Sequence, residues 1–417
     1  MKKIIITFII TLLLIASLGF VYFFLLKKDT EDKTKYVVTY TDASLDKNIK
    51  VEKKLDIEYG RIRSLSDFVS IENGTLNDFD IVYDELGKLK VEFSYINNFG
   101  LNHRYITLNI VDTTAPYVSV PTYKTVLINS DIEFIRGFFC ADNHDKIVER
   151  SLEGDYDFST IGTYNAKYVA KDISGNKSER NITINVVEKM PSSNNNSNQN
   201  TPINYLDYQS LYNQYKTKNT KIGIDISRWQ GDVDFAKLKE SNVEFIMIRL
   251  GGQDGIDGEY YTDSKFKRNM DEAKKYGFDV GVYFYSYAYT NEEAINQAKY
   301  VIENLKGYDL KLPIVFDWEC WNKFNKMNIS LFDITNVQNT FLNYVEEKGY
   351  KSARYGSKNY LINAWQESRH LTWLAHYINE TNYDGEYFMW QRCDTGKVNG
   401  INGAVDVDIL YLDKYDL

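Results

Sequence analysis

The chain has 417 residues, enough for two to four domains. With 26% charged and 43% hydrophobic residues, it is not a chain that is disordered throughout. Its net charge of -9 argues against nucleic acid as a partner, and its three cysteines exclude a disulfide scaffold and a cysteine-rich zinc module.

The N-terminal segment, residues 1–34, is predicted to be a short cytoplasmic tail and a transmembrane anchor. Lys2 and Lys3 precede an apolar run over residues 4–26, which is long enough as a helix to cross a bilayer core of about 30 Å. A cleaved signal peptide is the alternative, but its apolar region would be about 7–15 residues long and followed by a small-residue cleavage site. We therefore expect a single-pass membrane protein whose body lies on the outer side.

Residues 35–112 and 113–189 are predicted to form two all-β modules, because short runs of Val, Ile, Tyr, Phe and Thr alternate with Asp, Asn and Gly. The stretches 86–111 and 161–187 match each other, and each contains two glycines that lie 13 positions apart (87 to 100 and 162 to 175). In each copy the second glycine, Gly100 or Gly175, is predicted to form a hairpin turn that needs positive φ.

The second module resembles the bacterial Ig-like modules of surface proteins, in the sequences DTTAP at 112–116, GTY at 162–164 and DISGN at 172–176. The resemblance implies β-sandwiches, and we expect them to act as spacers. Asp142, Asn143 and Asp145 lack a full set of calcium ligands, so the sequence favours a solvated turn there. Residues 190–215 are predicted to be a polar linker, since 191–200 is almost entirely Ser, Asn and Gln.

Residues 216–417 have the pattern of an α/β domain. Apolar strands near 245–248, 280–285 and 313–316 alternate with helices. Thr290 and Glu293 form a predicted capping box for a helix that ends at Gly307, and a second helix is predicted over about 333–348. Such repeated units predict a parallel sheet that closes into a barrel, with the functional site at the C-terminal ends of its strands.

Acidic residues stand at these predicted strand ends. Asp317 and Glu319 end one apolar strand and point to the same side, because a strand alternates its faces. Two adjacent carboxylates cannot both ionise readily, so one should have a raised pKa and serve as a general acid. Asp225 ends an earlier strand, and Asp406 or Asp408 lies on the last. Together with nearby aromatic side chains, these acids indicate a glycosidase. The aromatic residues are Trp229, Tyr283, Tyr285, Trp373 and Trp390.

The same segments resemble glycoside hydrolase family 25 lysozymes over about 195 residues. The motifs are DISRWQG at 225–231, IRLG at 248–251, GVYFYS at 281–286, FDWE at 316–319, WLAHY at 373–377, MWQ at 389–391, and TGKV at 395–398 before VD at 405–406. The resemblance implies an irregular β/α barrel that needs no cofactor or metal. It also implies N-acetylmuramidase activity, the cleavage of the β-1,4 bond between N-acetylmuramic acid and N-acetylglucosamine in peptidoglycan.

The resemblance also assigns roles to particular residues. Glu319 would be the general acid and Asp317 its partner, while Asp225 and Asp406 would be outer acids that hold substrate or water. Asp408 is expected to face away from the site or to cap a turn. The remaining assigned residues would line the groove or, for the arginine, pair with acids beneath it; they are Tyr283, Tyr285, Trp373, Trp390, Gln391 and Arg249.

The sequence leaves several alternatives open. The reaction could retain configuration through the substrate's own acetamido group, which we prefer, or invert it through a water activated by Asp225 or Asp406. Besides a membrane-anchored hydrolase that acts on glycan strands of the cell wall, the chain could be a non-hydrolytic wall-binding or adhesion protein. It could also open the wall for an envelope-spanning transfer machine. A Cys320–Cys393 bridge is a further open point, with Cys140 as a buried thiol.

Overall fold

The computed structural model describes residues 39–191 and 204–415. The predicted anchor and the Ser/Asn-rich part of the linker lie outside these residues. Across the two described ranges, no helix is both long enough and apolar enough to span a bilayer. The described chain divides into two compact units, and the first comprises the residues up to Lys54, Leu65–Phe79 and Lys90–Leu108.

The first unit is built from short strands beside a long hairpin. Its core includes Tyr95, whose hydroxyl donates to Asp46 Oδ2 at 2.6 Å, and Arg104 pairs with the same carboxylate at 2.6 Å. Its strands are Thr41–Asp42, Ile49–Val51, Val69–Ile71, Gly74–Leu76, Gly87–Asn97 and Gly100–Val111. The first residues of Gly87–Asn97 and the last residues of Gly100–Val111 belong to the second unit.

The second unit comprises Leu55–Ser64, Asp80–Leu89 and the described chain from Asn109 onward. Its β-module has a four-stranded sheet and a two-stranded sheet around a core that includes Tyr168 and Ile184. The six strands of these sheets are Tyr117–Ser119, Tyr123–Leu127, Phe139–Ala141, Glu149–Glu153, Gly162–Lys171 and Lys177–Val187. A further strand of this unit, Asp56–Glu58, pairs with Asn109, Ile110 and Val111.

Both copies of the sequence repeat end in the predicted hairpin. The first hairpin turns before Gly100, which has φ +112°, and the second turns at Gly175, with φ +97°. These values confirm that the matching glycines occupy positions where a side chain would be strained. The Ig-like character of the modules stays a prediction.

Within residues 204–415, eight strands close into a barrel, which confirms the predicted closed sheet. Strands β1 to β7 run parallel to one another, whereas β8, which lies between β7 and β1, is antiparallel to both. The eight strands are β1 (Thr220–Ile226), β2 (Phe245–Gln253), β3 (Asp279–Ser286), β4 (Ile314–Trp318), β5 (Ser352–Ser357), β6 (Leu371–Ala375), β7 (Met389–Lys397) and β8 (Val405–Tyr411).

The helices pack around the barrel through an apolar layer, while a second apolar cluster fills its interior. The capping box of Thr290 and Glu293 is present, and the helix after it ends before Gly307 as predicted. The helices are Tyr208–Tyr215, Phe235–Glu240, Phe266–Lys275, Asn291–Asn304, Leu331–Glu347 and Lys358–Asn363.

The segment before the barrel differs from the predicted linker. Leu206–Asp207 pairs with β7 at Gly396 and Lys397, and the helix Tyr208–Tyr215 follows at once. Asp207 caps this helix by accepting from Ser210 N at 2.8 Å, and Tyr208 is buried. The polar linker therefore ends earlier than residue 215, because pairing with a distant strand orders this segment.

Candidate active site

A cavity of about 260 Å³ opens at the C-terminal ends of the parallel barrel strands. Nine of the ten residues that the sequence assigns to the site line this cavity, and Trp390 is the exception. The lining residues are Asp225, Ser227, Trp229, Gln230, Arg249, Tyr283, Tyr285, Asp317, Glu319, Tyr355, Trp373, Tyr377, Gln391 and Asp406.

Asp317 and Glu319 lie together at the end of β4. Trp318 between them points away, and its Nε1 donates to Ala288 O at 2.9 Å. Asp317 is buried, and its Oδ1 has no hydrogen-bond partner, whereas Glu319 is exposed at the mouth. This arrangement confirms that both carboxyl groups face the same side of the strand.

Burial raises the pKa values of both carboxyl groups. Burial raises the pKa of Asp317 well above its usual range, and the charge of Glu319 adds to the increase. Exclusion of water by the cavity walls also raises the pKa of Glu319, while a hydrogen bond from Asp317 opposes that rise. Both groups therefore favour the neutral form more than an isolated carboxyl group does, and the increase in pKa is larger at Asp317.

Asp225 is held on the opposite side of the cavity by neutral donors. Its Oδ2 accepts from Gln391 Nε2 at 2.8 Å, and its Oδ1 accepts from the Tyr283 hydroxyl at 3.4 Å. Burial raises the pKa of Asp225 to about 7, although these hydrogen bonds lower it. Asp225 therefore changes its charge near neutral pH.

The antiparallel direction of β8 places its two acids at different depths. Asp406 lies opposite Asp225 at the mouth, and burial raises its pKa to about 9. Asp408, two residues further along the strand, lies deeper and is fully buried, where its Oδ1 accepts from Trp373 Nε1 at 2.9 Å. The expectation that Asp408 faces away is wrong, because residues two apart on a strand share a face.

Arg249 supplies the positive charge of the cavity. Its guanidinium donates to the Tyr261 hydroxyl at 2.7 Å and lies 4.9 Å from the centre of the Tyr285 ring. Its charge lowers the pKa values of Asp317 and Glu319, against the larger effect of burial. Arg249 thus acts on both acids from the cavity wall.

Aromatic rings form much of the remaining wall. Tyr283, Tyr285 and Trp373 line it as predicted, and Trp229 stands at the mouth with 73% of its surface exposed. Trp390 does not line it, because it lies on the outer face of β7, contacts Tyr215 and donates to His376 O at 2.7 Å. Its neighbour Gln391 faces inward instead, as strand alternation requires.

Two tyrosines of the site were missed by the sequence analysis. The hydroxyls of Tyr355, on β5, and Tyr377, after β6, donate to Gln391 Oε1 at 2.8 and 2.9 Å. Tyr377 lies within the motif at 373–377, but Tyr355 lies on a strand that carries no acidic residue. All three cysteines lie in the described residues, and each is a free, buried thiol. A Cys320–Cys393 bridge is therefore absent from this part of the chain.

A barrel with clustered carboxyl groups and aromatic rings at its C-terminal mouth has the arrangement of a glycoside hydrolase. Residues 224–401 match the model of the family described as glycosyl hydrolases family 25. This match confirms the family resemblance for the barrel.

Two curated proteins and one solved structure are each similar to part of the chain. The chain is 32% identical over 190 residues to the autolytic lysozyme of Clostridium acetobutylicum, covering 45% of this chain and 54% of that protein. It is 24% identical over 208 residues to lysozyme M1 of Streptomyces globisporus, covering 44% and 65%. Among solved structures, the modular autolysin LytC of Streptococcus pneumoniae is similar at 25% identity, with a TM-score of 0.42, covering 59% of this chain and 56% of that one. The chain thus spans less than two thirds of each of these relatives.

Proposed function

We propose that the barrel is an N-acetylmuramidase, which hydrolyses the β-1,4 bond between N-acetylmuramic acid and N-acetylglucosamine in peptidoglycan. The observation that carries the proposal is the pair of carboxyl groups, Asp317 and Glu319, which line the cavity side by side at the end of β4. The names of the two lysozyme relatives support the same activity.

Glu319 is the member of the pair that a substrate can reach, because it is exposed while Asp317 is buried. In the proposed reaction the protonated Glu319 donates its proton to the glycosidic oxygen as the bond to the anomeric carbon breaks, while Asp317 orients the substrate's acetamido group. The acetamido oxygen attacks the anomeric carbon and closes a ring. Water then adds to the same carbon and opens the ring, and its proton returns to Glu319, so that configuration is retained. Asp225 and Asp406 would instead activate water in an inverting reaction.

The test uses purified protein and isolated peptidoglycan. The parent chain should release muropeptides that end in reducing N-acetylmuramic acid, as identified by mass spectrometry, whereas Glu319→Gln should lose at least about 100-fold in rate. Glu347→Gln, at the exposed end of the helix Leu331–Glu347, is the matched control and should keep the parent rate. Peptidoglycan binding by the parent without new reducing ends would instead support a wall-binding protein. NMR of the first anomer formed would distinguish retention from inversion.

We also propose that the chain is anchored in the cell membrane by residues 4–26, with the barrel in the cell wall. The support is the length of the apolar run and the lysines on both of its flanks. A version that lacks residues 1–34 should leave the membrane fraction and become soluble, whereas equal membrane retention of both forms would contradict the anchor.

A further inference from the structure

Three buried carboxyl groups meet in the β-module of the second unit, far in sequence from the barrel acids. Asp112, Asp142 and Asp172 each follow the end of a strand, and one oxygen from each lies within 4.8 Å of the others. They are 8%, 1% and 4% exposed, respectively. The three acids therefore form a buried cluster of oxygen atoms.

Two oxygens of this cluster, Asp112 Oδ2 and Asp142 Oδ2, lack a hydrogen-bond donor among the described residues. Asn143 Oδ1, on the residue after Asp142, also lacks one, and all three atoms are buried. The other atoms of these groups are occupied, since Asp142 Oδ1 accepts from His144 N and Asp145 N at 2.9 and 2.8 Å. Asn143 Nδ2 donates to Tyr59 O at 3.0 Å. The unpartnered oxygens are thus fixed in direction, and a buried polar atom without a partner is costly.

The surroundings add negative charge to the cluster. Asp145, whose main-chain N–H donates to Asp142 Oδ1, adds a fourth acidic side chain next to Asp142 and is itself only 3% exposed. A cation would relieve this repulsion and supply the missing partner of each free oxygen.

We propose that Asp112, Asp142, Asp172 and Asn143 bind one Ca²⁺ ion. Calcium takes 6–8 oxygen ligands at about 2.3–2.6 Å, so two ligands on opposite sides of the ion lie about 4.8 Å apart. The spacing of the three carboxylates fits this distance. The flexible geometry of calcium suits ligands from three separate segments better than the strict octahedron of Mg²⁺ does.

This site changes the interpretation of residues 142–145. The sequence favours a solvated turn there because the local ligand set is incomplete. The fold completes the set with Asp112 and Asp172, which lie 30 positions to either side of Asp142.

The site is next to a contact between the β-module and the barrel domain. The carbonyls of Asp142 and Asn143 accept from Leu331 N at 2.8 Å and Phe332 N at 3.1 Å, at the start of the helix Leu331–Glu347. An ion on these side chains would hold their carbonyls against that helix. Calcium would therefore stabilise the module and this contact together.

Calcium binding can be measured directly on the full chain after treatment with a chelator. Equilibrium dialysis with ⁴⁵Ca²⁺ should give one ion per chain, with a Kd of about 10⁻⁴–10⁻³ M, as in extracellular modules. Asp142→Asn should weaken binding at least about tenfold while keeping the fold, because an amide has the shape of a neutral carboxyl group. Asp112→Asn, from a different segment, is the second variant and should have the same effect.

The controls separate this cluster from other acids. Asp157→Asn removes an exposed carboxylate of the same module and should leave binding unchanged. Glu319→Gln tests the barrel acids and should also leave it unchanged, so the result does not depend on the proposed activity. Absence of binding by the parent at about 10 mM Ca²⁺ would overturn the proposal. Equal affinity for Mg²⁺, or binding that survives Asp142→Asn and Asp112→Asn, would overturn it too.

Discussion

Gln391 and Asp225 are joined across the mouth of the barrel, with Gln391 Nε2 donating to Asp225 Oδ2 at 2.8 Å. The orientation of the amide is fixed, because Gln391 Oε1 accepts from the hydroxyls of Tyr355 and Tyr377. Gln391 therefore presents a neutral donor to Asp225, whose pKa is raised to about 7 by burial. The pKa of Asp225 thus depends in part on a hydrogen bond from a side chain that carries no charge.

Gln391→Glu should slow peptidoglycan hydrolysis by about 10–100-fold, since a hydrogen bond to a charged group contributes about 1.5–3 kcal/mol. The new carboxyl group would compete with Asp225 for a proton and raise the pKa of Asp225 further. The hydroxyls of Tyr355 and Tyr377 can still donate to the new carboxylate, so this part of the cavity wall should keep its structure. In a plot of kcat against pH, the limb that reflects the ionisation of Asp225 should therefore move to higher pH.

The control for this change is Gln209→Glu, on the exposed face of the helix Tyr208–Tyr215, which should match the parent. If Gln391→Glu raised KM and left the pH profile of kcat in place, Gln391 would be a substrate contact instead of a positioning residue. If the shorter amide in Gln391→Asn kept the parent's pH profile of kcat, the length of the Gln391 side chain would not matter for this role.

The acids of the cavity should make the barrel less stable as pH rises. The unfolded chain releases these protons near pH 4, whereas the folded barrel keeps them to about pH 7 at Asp225 and about pH 9 at Asp406. The folded state binds more protons in this window, so the free energy of unfolding falls between about pH 4 and 9. Thermal unfolding at a series of pH values measures that slope.

Asp406→Asn should flatten the slope between about pH 7 and 9 and stabilise the protein at pH 9 by about 1–2 kcal/mol, after allowance for partial exposure. Asp384→Asn, at an exposed position outside the cavity, should leave the slope unchanged. A slope that is identical in the parent and in Asp406→Asn would show that Asp406 is ionised in the folded state.

The exposed ring of Trp229 should contribute to substrate binding and little to the fold. It lines the cavity mouth, and the Arg228 guanidinium lies 4.9 Å from its centre. Loss of one stacking contact of about 0.5–1.5 kcal/mol would raise KM for glycan oligomers by about 2–12-fold in Trp229→Ala. We expect kcat to stay within about twofold and the unfolding temperature to stay constant. Tyr205→Ala removes a partly exposed ring outside the cavity, and an equal rise in KM there would contradict the assignment.

Local sequence rules predicted features that depend on a few adjacent residues. The turns at Gly100 and Gly175, the capping box at Thr290 and the shared face of Asp317 and Glu319 all follow from φ preference, end capping or strand alternation. Alternation also requires that the adjacent residues Trp390 and Gln391 face opposite sides of β7. Strand geometry alone therefore allows only one of them to line the groove.

Other features depend on which strands become neighbours. The depths of Asp406 and Asp408 depend on the reversed direction of β8, and Tyr355 joins the site only because β5 lies beside β6. The strand Leu206–Asp207 is ordered by pairing with β7, 190 positions away. No local pattern in one sequence encodes these pairings, which arise from closure of the whole barrel.

The contact between the β-module and the barrel domain offers a last prediction. The ring of Phe139 lies 5.7 Å from Phe324 and 6.2 Å from Tyr360, measured between ring centres. Phe139→Ala should lower the free energy of unfolding by about 1–3 kcal/mol, less than the loss for a fully buried ring because Phe139 is only partly buried. Phe99→Ala, at a position 93% exposed, should change it by less than about 0.5 kcal/mol.

A double-mutant cycle with Tyr360→Ala tests whether this contact crosses from module to barrel. If the rings interact, the loss in the double variant should differ from the sum of the single losses by at least about 0.5 kcal/mol. Asn359, next to Tyr360, donates to the Tyr117 hydroxyl at 2.9 Å, so the helix Lys358–Asn363 has a second link to the module. Additive losses would mean that Phe139 stabilises the module alone, and the barrel would then unfold at the same temperature with or without that ring.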